Sequence, residues 1–256
     1  MGDTIGDQDS LPALLKRTTA VLFDFDGPLC SLFRGLPTKD VADEIKETAR
    51  GHRGWNPLAA EVEHCSDSHD ILRHLRDMYE AAPVRPSPLP LKLAEDIVAR
   101  AEDKAVGTAE PAQDIVTLVE LLSGLRIRLA VVSNNAEKPI RKFLDRSDIR
   151  LGSTFHGVFG RDPRDARRMK PDPRCVERAI QELSLDASHC LLIGDKLSDF
   201  KAARSAGTCF LGYTRKPSRA TDMKESGAEA VVSSHRPVIE AARLLSAVRP
   251  ATRPVR

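Results

Sequence analysis

Residues 20–27 read Ala-Val-Leu-Phe-Asp-Phe-Asp-Gly, an apolar run that ends in two carboxylates separated by one residue. Four consecutive apolar residues without polar alternation are typical of a strand that is buried on both faces of a parallel sheet. Asp24 and Asp26 follow at once, and in an open α/β sheet the carboxyl ends of the strands line the ligand crevice. The stretch therefore predicts a buried strand over 20–23 whose end carries chemically active residues.

Five further apolar runs follow this pattern, and the segments between them have the periodicity of amphipathic helices. The additional predicted strands cover 127–132, 156–159, 190–193, 208–211 and 230–232. The predicted helices that connect them cover 111–122, 137–144, 172–183, 197–205 and 237–245. Alternating strands and helices favour an α/β fold with a doubly wound parallel sheet.

One interval breaks this alternation, because Asp24 and Ser133 lie much further apart than the roughly 30 residues that a β-α-β unit needs. The surplus contains three helix-like stretches, at 39–48, 67–81 and 89–105, and a proline-rich segment precedes the last of them. We therefore expect an inserted all-helical domain.

The expected domain boundaries follow from this insertion and from the polar ends of the chain. The helical insertion is assigned to 32–107, which divides the α/β core into 18–31 and 108–248. The ends, 1–17 and 249–256, are predicted to be flexible tails.

Composition limits the classes of function. The chain of 256 residues carries 39 Lys and Arg against 37 Asp and Glu, and only 4% of its residues are aromatic. This balance gives no basis for nucleic-acid binding. The most apolar long window, 115–132, contains three charged residues, which excludes a membrane span. The five cysteines are odd in number and widely spaced, which does not support a disulfide framework and fits a reducing compartment. Since the first ten residues also contain no apolar run of the kind found in signal peptides, a cytoplasmic location is expected.

Polar clusters occur at four places next to the predicted strands and their loops. They are Asp24-Phe25-Asp26-Gly27, Ser133-Asn134-Asn135, Lys170-Pro171-Asp172-Pro173 and the stretch from Gly194-Asp195 to Asp199. Each cluster alone is typical of a turn or a helix cap. Because the carboxyl ends of parallel strands meet at one edge of a sheet, the four together predict a single site.

The residue types in this set fit phosphoryl transfer. Asp24 can attack phosphorus as a nucleophile, and Asp26 lies on the same side of an extended chain, where it can act as general acid and base. Ser133 and the backbone amide of Asn134 can bind phosphate oxygens, and Lys170 supplies a positive charge.

The remaining carboxylates in the set suit a metal ion. Asp24, Asp195 and Asp199 offer hard oxygen ligands of the kind that Mg²⁺ prefers. A divalent cation at this place would offset the repulsion between a carboxylate nucleophile and an anionic phosphate.

At these clusters the chain resembles the haloacid dehalogenase superfamily, with Asp24 to Gly27, Ser133, Lys170 and the Asp195–Asp199 pair matching its four motifs in turn. The resemblance implies a Rossmann-like core with a helical C1 cap, as in phosphoglycolate phosphatase-like and β-phosphoglucomutase-like members. It also implies Mg²⁺ held by the side chains of Asp24 and Asp195 and the carbonyl of Asp26, with support from Asp199. Pro28 stands where the family commonly has Thr, at the entrance to the flap, the segment that follows the first motif. This replacement affects the geometry of the flap.

The implied reaction is Mg²⁺-dependent hydrolysis of a small phosphate monoester through an aspartyl-phosphate on Asp24. A phosphomutase or phosphotransferase shares all four motifs and stays open as an alternative. A 2-haloacid dehalogenase is less favoured, because it needs no acid at the position of Asp26. A non-catalytic binding module is also less favoured, because it would not need the complete set of motif residues. The expected partner is a small phosphorylated metabolite, and the oligomeric state is left open.

Two groups of residues outside the motifs are expected to be structural or solvated. One is a set of arginines in the loop before Lys170, expected to be solvated and balanced by nearby aspartates, with a funnel for a polyanionic substrate as the alternative: Arg161, Arg164, Arg167 and Arg168. The other is a set of histidines in the insertion, His64, His69 and His74. Their spacing of five residues does not place them on one helix face, so we expect them at the surface or at helix caps.

Overall fold

A computed structural model describes residues 10–33 and 38–248 of the chain. The strands within these residues are β1 (Ala20–Phe23), β2 (Cys30–Ser31), β3 (Glu110–Pro111), β4 (Arg128–Val132), β5 (Gly157–Phe159), β6 (Cys190–Gly194), β7 (Cys209–Tyr213) and β8 (Ala230–Val232). The helices are α1 (Ser10–Arg17), α2 (Thr38–Arg50), α3 (Ala60–Glu63), α4 (Ser68–Ala81), α5 (Leu89–Val106), α6 (Ile115–Gly124), α7 (Glu137–Leu144), α8 (Arg174–Glu182), α9 (Leu197–Ser205), α10 (Pro217–Glu225) and α11 (Arg236–Val248). None of these helices is both long and apolar enough to cross a membrane.

The main sheet has six parallel strands in the order β5-β4-β1-β6-β7-β8. Strand β1 lies inside the sheet, and its Phe23 pairs with Val131 of β4 and Ile193 of β6. Every residue of β1 is fully buried, as the uninterrupted apolar run predicts. The parallel α/β core is therefore confirmed, and all six predicted strands occur with ends shifted by two residues at most.

Two apolar layers cover the two faces of this sheet. Val21 and Phe23 point into a layer that contains residues of α1, α6, α7 and α11. Ala20 and Leu22 point into the opposite layer, which contains residues of α8, α9 and α10. Successive residues of a strand face opposite sides of the sheet, so the helices on both faces explain why no polar residue interrupts β1.

The prediction of a flexible tail over 1–17 is wrong from residue 10 onward, because Ser10–Arg17 forms α1. Leu11, Leu14 and Leu15 recur at helical spacing, are buried, and bring α1 against α11. The first nine residues, and the tail predicted over 249–256, lie outside the described residues.

Helices α2 to α5 fall within the predicted insertion and have an apolar core of their own. At its centre Trp55 is fully buried, donates its indole N–H to the carbonyl oxygen of Ser87 at 2.9 Å, and stacks on Tyr79. The antiparallel pair of β2 and β3 joins the two chain segments that flank these helices. The described helices fit the helical cap, and the domain boundaries at 32 and 107 stay a prediction.

Candidate active site

The carboxyl ends of the three neighbouring strands β4, β1 and β6 bring the predicted residues together. Their backbones are fixed by the sheet: Asp24 N–H donates to the carbonyl of Ile193 at 2.9 Å, and Ser133 N–H donates to the carbonyl of Phe159 at 3.0 Å. Asp24, Asp26, Ser133, Asn134, Lys170 and Asp199 all line one cavity of about 340 Å³. The opposite wall of this cavity comes from the cap, with Thr38, Ser66, Asp67, Ser68 and His69.

Lys170 lies at the centre of the charged groups on the core side. Its buried ammonium is 2.8 Å from Asp24 Oδ1 and 2.6 Å from Asp199 Oδ1, and it donates to the carbonyl of Val132 at 3.1 Å. Burial acts to lower the pKa of Lys170, but Asp199 and Asp24 outweigh it and raise the pKa above its ordinary value. For Asp24, burial raises the pKa while Lys170 opposes this shift. Lys170 therefore stays charged beside the proposed nucleophile.

Asn134 is brought beside Lys170, but its side chain has a positioning role. Its Oδ1 accepts from the backbone N–H of Lys170 at 2.8 Å, and its Nδ2 donates to the carbonyl of Lys170 at 3.1 Å. The backbone N–H of Asn134 is thus the group suited to a phosphate oxygen. Ser133 is buried beside it, and its hydroxyl both donates to and accepts from Asn135.

Three carboxylates form the part of the site that suits a metal ion. One oxygen each of Asp24, Asp195 and Asp199 lies within 4.8 Å of the other two. Asp195 Oδ1 is buried without a hydrogen-bond partner, and burial followed by the charges of Asp24 and Asp199 raises the pKa of Asp195 to about 7. An orphaned buried oxygen among mutually repelling carboxylates fits a divalent cation.

Protein groups already contact the side chains of two residues of the proposed metal set, Asp199 and Asp26. Both oxygens of Asp199 already have donors, since Oδ1 contacts Lys170 and Oδ2 accepts from Lys196 N–H at 2.9 Å. The side chain of Asp26 is outside the carboxylate cluster and accepts from Leu32 N–H at 2.9 Å.

Arg219 is a site residue that no sequence motif indicated. Its Nη1 donates to both the backbone carbonyl of Asp195, at 3.0 Å, and Asp195 Oδ2, at 2.8 Å. This contact holds one carboxylate oxygen and leaves Oδ1 facing the cluster. Arg219 lies in α10, outside the four clusters, so only the folded chain reveals it.

A charged network on the cap side was also missed. His69 was expected at the surface or at a helix cap, but it lines the cavity, and its Nε2 is 2.9 Å from Oε1 of the fully buried Glu102. Arg161 was expected in a solvated loop, but it is buried and pairs with Glu102 and Glu95 of α5. The other loop arginines pair with aspartates near the surface, as expected: Arg164, Arg167 and Arg168.

A model of the haloacid dehalogenase-like hydrolase family matches residues 18–207, which hold all four clusters. The chain belongs to the haloacid dehalogenase-like hydrolases. Membership confirms the family that the motifs indicate and the expectation of an enzyme, a hydrolase. A phosphoglycolate phosphatase of Neisseria gonorrhoeae is 28% identical over 79% of this chain and 82% of its own length. An N-acetylmuramic acid 6-phosphate phosphatase of Pseudomonas aeruginosa is 28% identical over 75% of this chain and 80% of its own.

Solved structures with low sequence identity to this chain share its fold. A predicted phosphatase from Clostridium acetobutylicum superimposes with a TM-score of 0.62, at 16% identity over 90% of this chain and 99% of its own. The protein CbbY from Rhodobacter sphaeroides, solved with xylulose-(1,5)bisphosphate, gives a TM-score of 0.58 at 18% identity, over 85% of this chain and 94% of its own. At such identities the likeness concerns the fold, and it confirms the expected parallel core with a helical cap.

Proposed function

We propose that this hydrolase cleaves a small phosphate monoester through an aspartyl-phosphate on Asp24, with Asp26 as general acid and base. The observation that carries the proposal is the contact of 2.8 Å between the Lys170 ammonium and Asp24 Oδ1 at the floor of the cavity, with Asp26 and Ser133 on its walls. Two relatives are named as phosphatases of small phosphorylated compounds, which supports this class of substrate. The cytoplasmic location stays a prediction.

The first half of the reaction transfers the phosphoryl group to the enzyme. Lys170 holds Oδ1 of Asp24, so Oδ2 is the oxygen that attacks phosphorus. As this bond forms, the bond from phosphorus to the ester oxygen breaks, and Asp26 donates a proton to the departing alkoxide. In the second half, the ionised Asp26 removes a proton from water, the water oxygen attacks phosphorus, and Asp24 and phosphate are released.

The groups around phosphorus hold its oxygens in place during both halves. The Asn134 N–H donates to a phosphate oxygen, and the Ser133 hydroxyl does so when its hydrogen turns from Asn135 to the substrate. Lys170 supplies positive charge that stabilises the transition state. Asn134 fixes the backbone of Lys170 through two hydrogen bonds, so the Lys170 ammonium is already in position before substrate binds.

The residues that would hold Mg²⁺ are the carboxylates of Asp24 and Asp195 and the carbonyl of Asp26, supported by Asp199. When bound there, the ion would neutralise charge between the nucleophile and the phosphate. The buried, unpartnered Asp195 Oδ1 supports this assignment, because an oxygen in that state is stabilised by a cation.

Metal removal tests the function directly. We expect EDTA to abolish hydrolysis of p-nitrophenyl phosphate, and excess Mg²⁺ to restore it, because three converging carboxylates repel one another and the phosphate without a cation. Released phosphate measured across a panel of monoesters is the readout. Full activity in metal-free buffer would contradict the role of Asp195 as a ligand.

Arg219→Ala tests the contact that orients Asp195. Loss of a group that orients a metal ligand typically weakens metal affinity by about 10–100-fold, so we expect the Mg²⁺ dissociation constant to rise by that factor. Isothermal titration of the metal-free protein measures it without turnover.

Arg215→Ala is the matched control, since Arg215 lines a second cavity together with Asp195 and Arg219, but its Nε donates to the carbonyl of Ser233 rather than to Asp195. It removes an equal charge, and we expect it to leave the dissociation constant within about twofold. Tighter Mg²⁺ binding in Arg219→Ala would mean that the arginine competes with the ion and would refute the orienting role.

A further inference from the structure

The cap wall of the cavity contains one imidazole, that of His69, and its environment defines which ligand it can bind. His69 lies in the first turn of α4, and its side chain is 19% exposed at the cavity opposite the motif residues. Its Nε2 contacts Glu102 at 2.9 Å. Nδ1 has no hydrogen-bond partner among residues 10–33 and 38–248, so it is the ring atom available to a substrate.

Glu102 determines which ring nitrogen carries the proton. The carboxylate is fully buried, and although burial acts to raise its pKa, Arg161 and His69 lower the pKa to about 2. An ionised carboxylate only accepts hydrogen bonds, so Nε2 of His69 is the donor. In the neutral ring Nδ1 is then an acceptor, which suits a ligand that donates a hydrogen bond, such as a hydroxyl group.

Glu102 also fixes the ring relative to the phosphate-binding loop. Its Oε1 accepts from Asn135 Nδ2 at 3.0 Å and from Arg161 Nη1 at 2.9 Å, and its Oε2 accepts from the N–H of Ala136 at 2.9 Å. Asn135 in turn bonds the Ser133 hydroxyl. The imidazole of the cap and the phosphate-binding serine of the core are therefore connected through one buried carboxylate.

The charges around the cavity oppose a second acidic group on the substrate. Among residues 10–33 and 38–248, Asp24, Asp26, Asp67 and Asp199 line it together with two ammonium groups, those of Lys170 and Lys196. Lys170 is already paired with two of these carboxylates. The other described cap residues that line it are Phe33 and three residues with hydroxyl groups, Thr38, Ser66 and Ser68. A neutral, hydroxyl-bearing leaving group fits this wall better than an anionic one.

We propose that His69 is a specificity-determining residue that accepts a hydrogen bond from a hydroxyl of the leaving group, and that Glu102 is its positioning residue. The enzyme then selects monophosphate esters of sugars or polyols over esters that carry a carboxylate or a second phosphate. The inference rests on the proposed phosphatase function, which hydrolysis of p-nitrophenyl phosphate by the same preparation tests separately.

His69→Gln separates recognition from structure, because the glutamine amide can still donate to Glu102 but lacks an acceptor at the place of Nδ1. We expect kcat/KM for glycerol 3-phosphate and glucose 6-phosphate to fall about 10-fold, mainly through KM. The value for p-nitrophenyl phosphate, whose leaving group has no donor, should stay within about twofold. His64→Gln, at an exposed cap histidine, should leave all values unchanged.

Glu102→Gln should lower the selectivity ratio between glucose 6-phosphate and p-nitrophenyl phosphate as His69→Gln does. The double variant should lower it no further, since both changes remove one coupled function. A ratio measured within one preparation does not depend on the folded fraction.

Two results would overturn the proposal. One is an unchanged substrate profile in His69→Gln, which would make the histidine structural. The other is a wild-type preference for 2-phosphoglycolate or fructose 1,6-bisphosphate over glycerol 3-phosphate and glucose 6-phosphate, whose leaving groups are neutral alcohols. If wild type hydrolyses no phosphate ester at all, p-nitrophenyl phosphate included, the proposed function itself is refuted and this inference with it.

Discussion

We expect Asp26→Asn to lower turnover of alkyl phosphates by about 10²–10⁴-fold, the usual contribution of a positioned general acid. An alkoxide is a poor leaving group unless it is protonated, and Asp26 lines the cavity two residues from the nucleophile. An asparagine oxygen can still accept from Leu32 N–H, as Asp26 Oδ1 does at 2.9 Å. The change therefore removes the proton and leaves the backbone of the flap in place.

The choice of substrate gives this prediction its internal control. The loss should be much smaller on p-nitrophenyl phosphate, because nitrophenolate leaves without a proton. Asp24→Asn removes the nucleophile and should abolish turnover on both substrates. Wild-type rates of alkyl phosphate hydrolysis in Asp26→Asn, or release of halide from 2-haloacids by wild type, would contradict the phosphatase mechanism.

The largest effect on stability is expected for Arg161→Met. The Arg161 side chain is fully buried, and it donates to Glu102, to Glu95 and to the carbonyl of Asn134. Burial acts to lower its pKa, but both glutamates raise it, so the guanidinium is always charged. Methionine fills a similar volume, but the buried Glu102 carboxylate then lacks the cationic partner that Arg161 provides. Removing one partner of a buried ion pair typically costs about 3–5 kcal/mol of unfolding free energy.

Urea unfolding of matched variants measures this loss. Arg164→Met is the control in the same loop, and because the Arg164 side chain is 91% exposed, its unfolding free energy should change by less than about 0.5 kcal/mol. Adding Glu102→Gln to Arg161→Met should recover part of the loss, since the unpaired buried charge is then removed. Equal stability of Arg161→Met and wild type would show that the network does not stabilise the fold.

Local patterns account for the parts of the structure that the sequence predicted. The buried strands are continuous apolar runs, and the motif residues follow them directly, so their meeting at one sheet edge requires only a parallel sheet. Helix α1 was missed because its apolar stripe is short, with Leu11, Leu14 and Leu15 within a polar segment. Its burial depends on α11, which lies at the other end of the described chain.

Long-range pairing explains the residues that were not predicted. His69 and Glu102 are 33 residues apart, and Glu102 and Arg161 are 59 apart. A charged residue in a loop has the same local signal whether it is solvated or buried, which is why Arg161 could not be told from Arg164. Arg219 and Asp195 also lie in different parts of the core, so no local pattern predicts their contact.

The buried carboxylate of Glu102 has a consequence for recombining this enzyme with its relatives. A cap could be exchanged between hydrolases as if it were an independent module. Here, however, Glu95 and Glu102 of α5 in the cap form a buried ion-pair network with Arg161, which belongs to the core. A chimera that receives a foreign cap would keep a buried guanidinium without its counter-ions. A transferable unit therefore has to include residues 133–136 and Arg161 together with the cap.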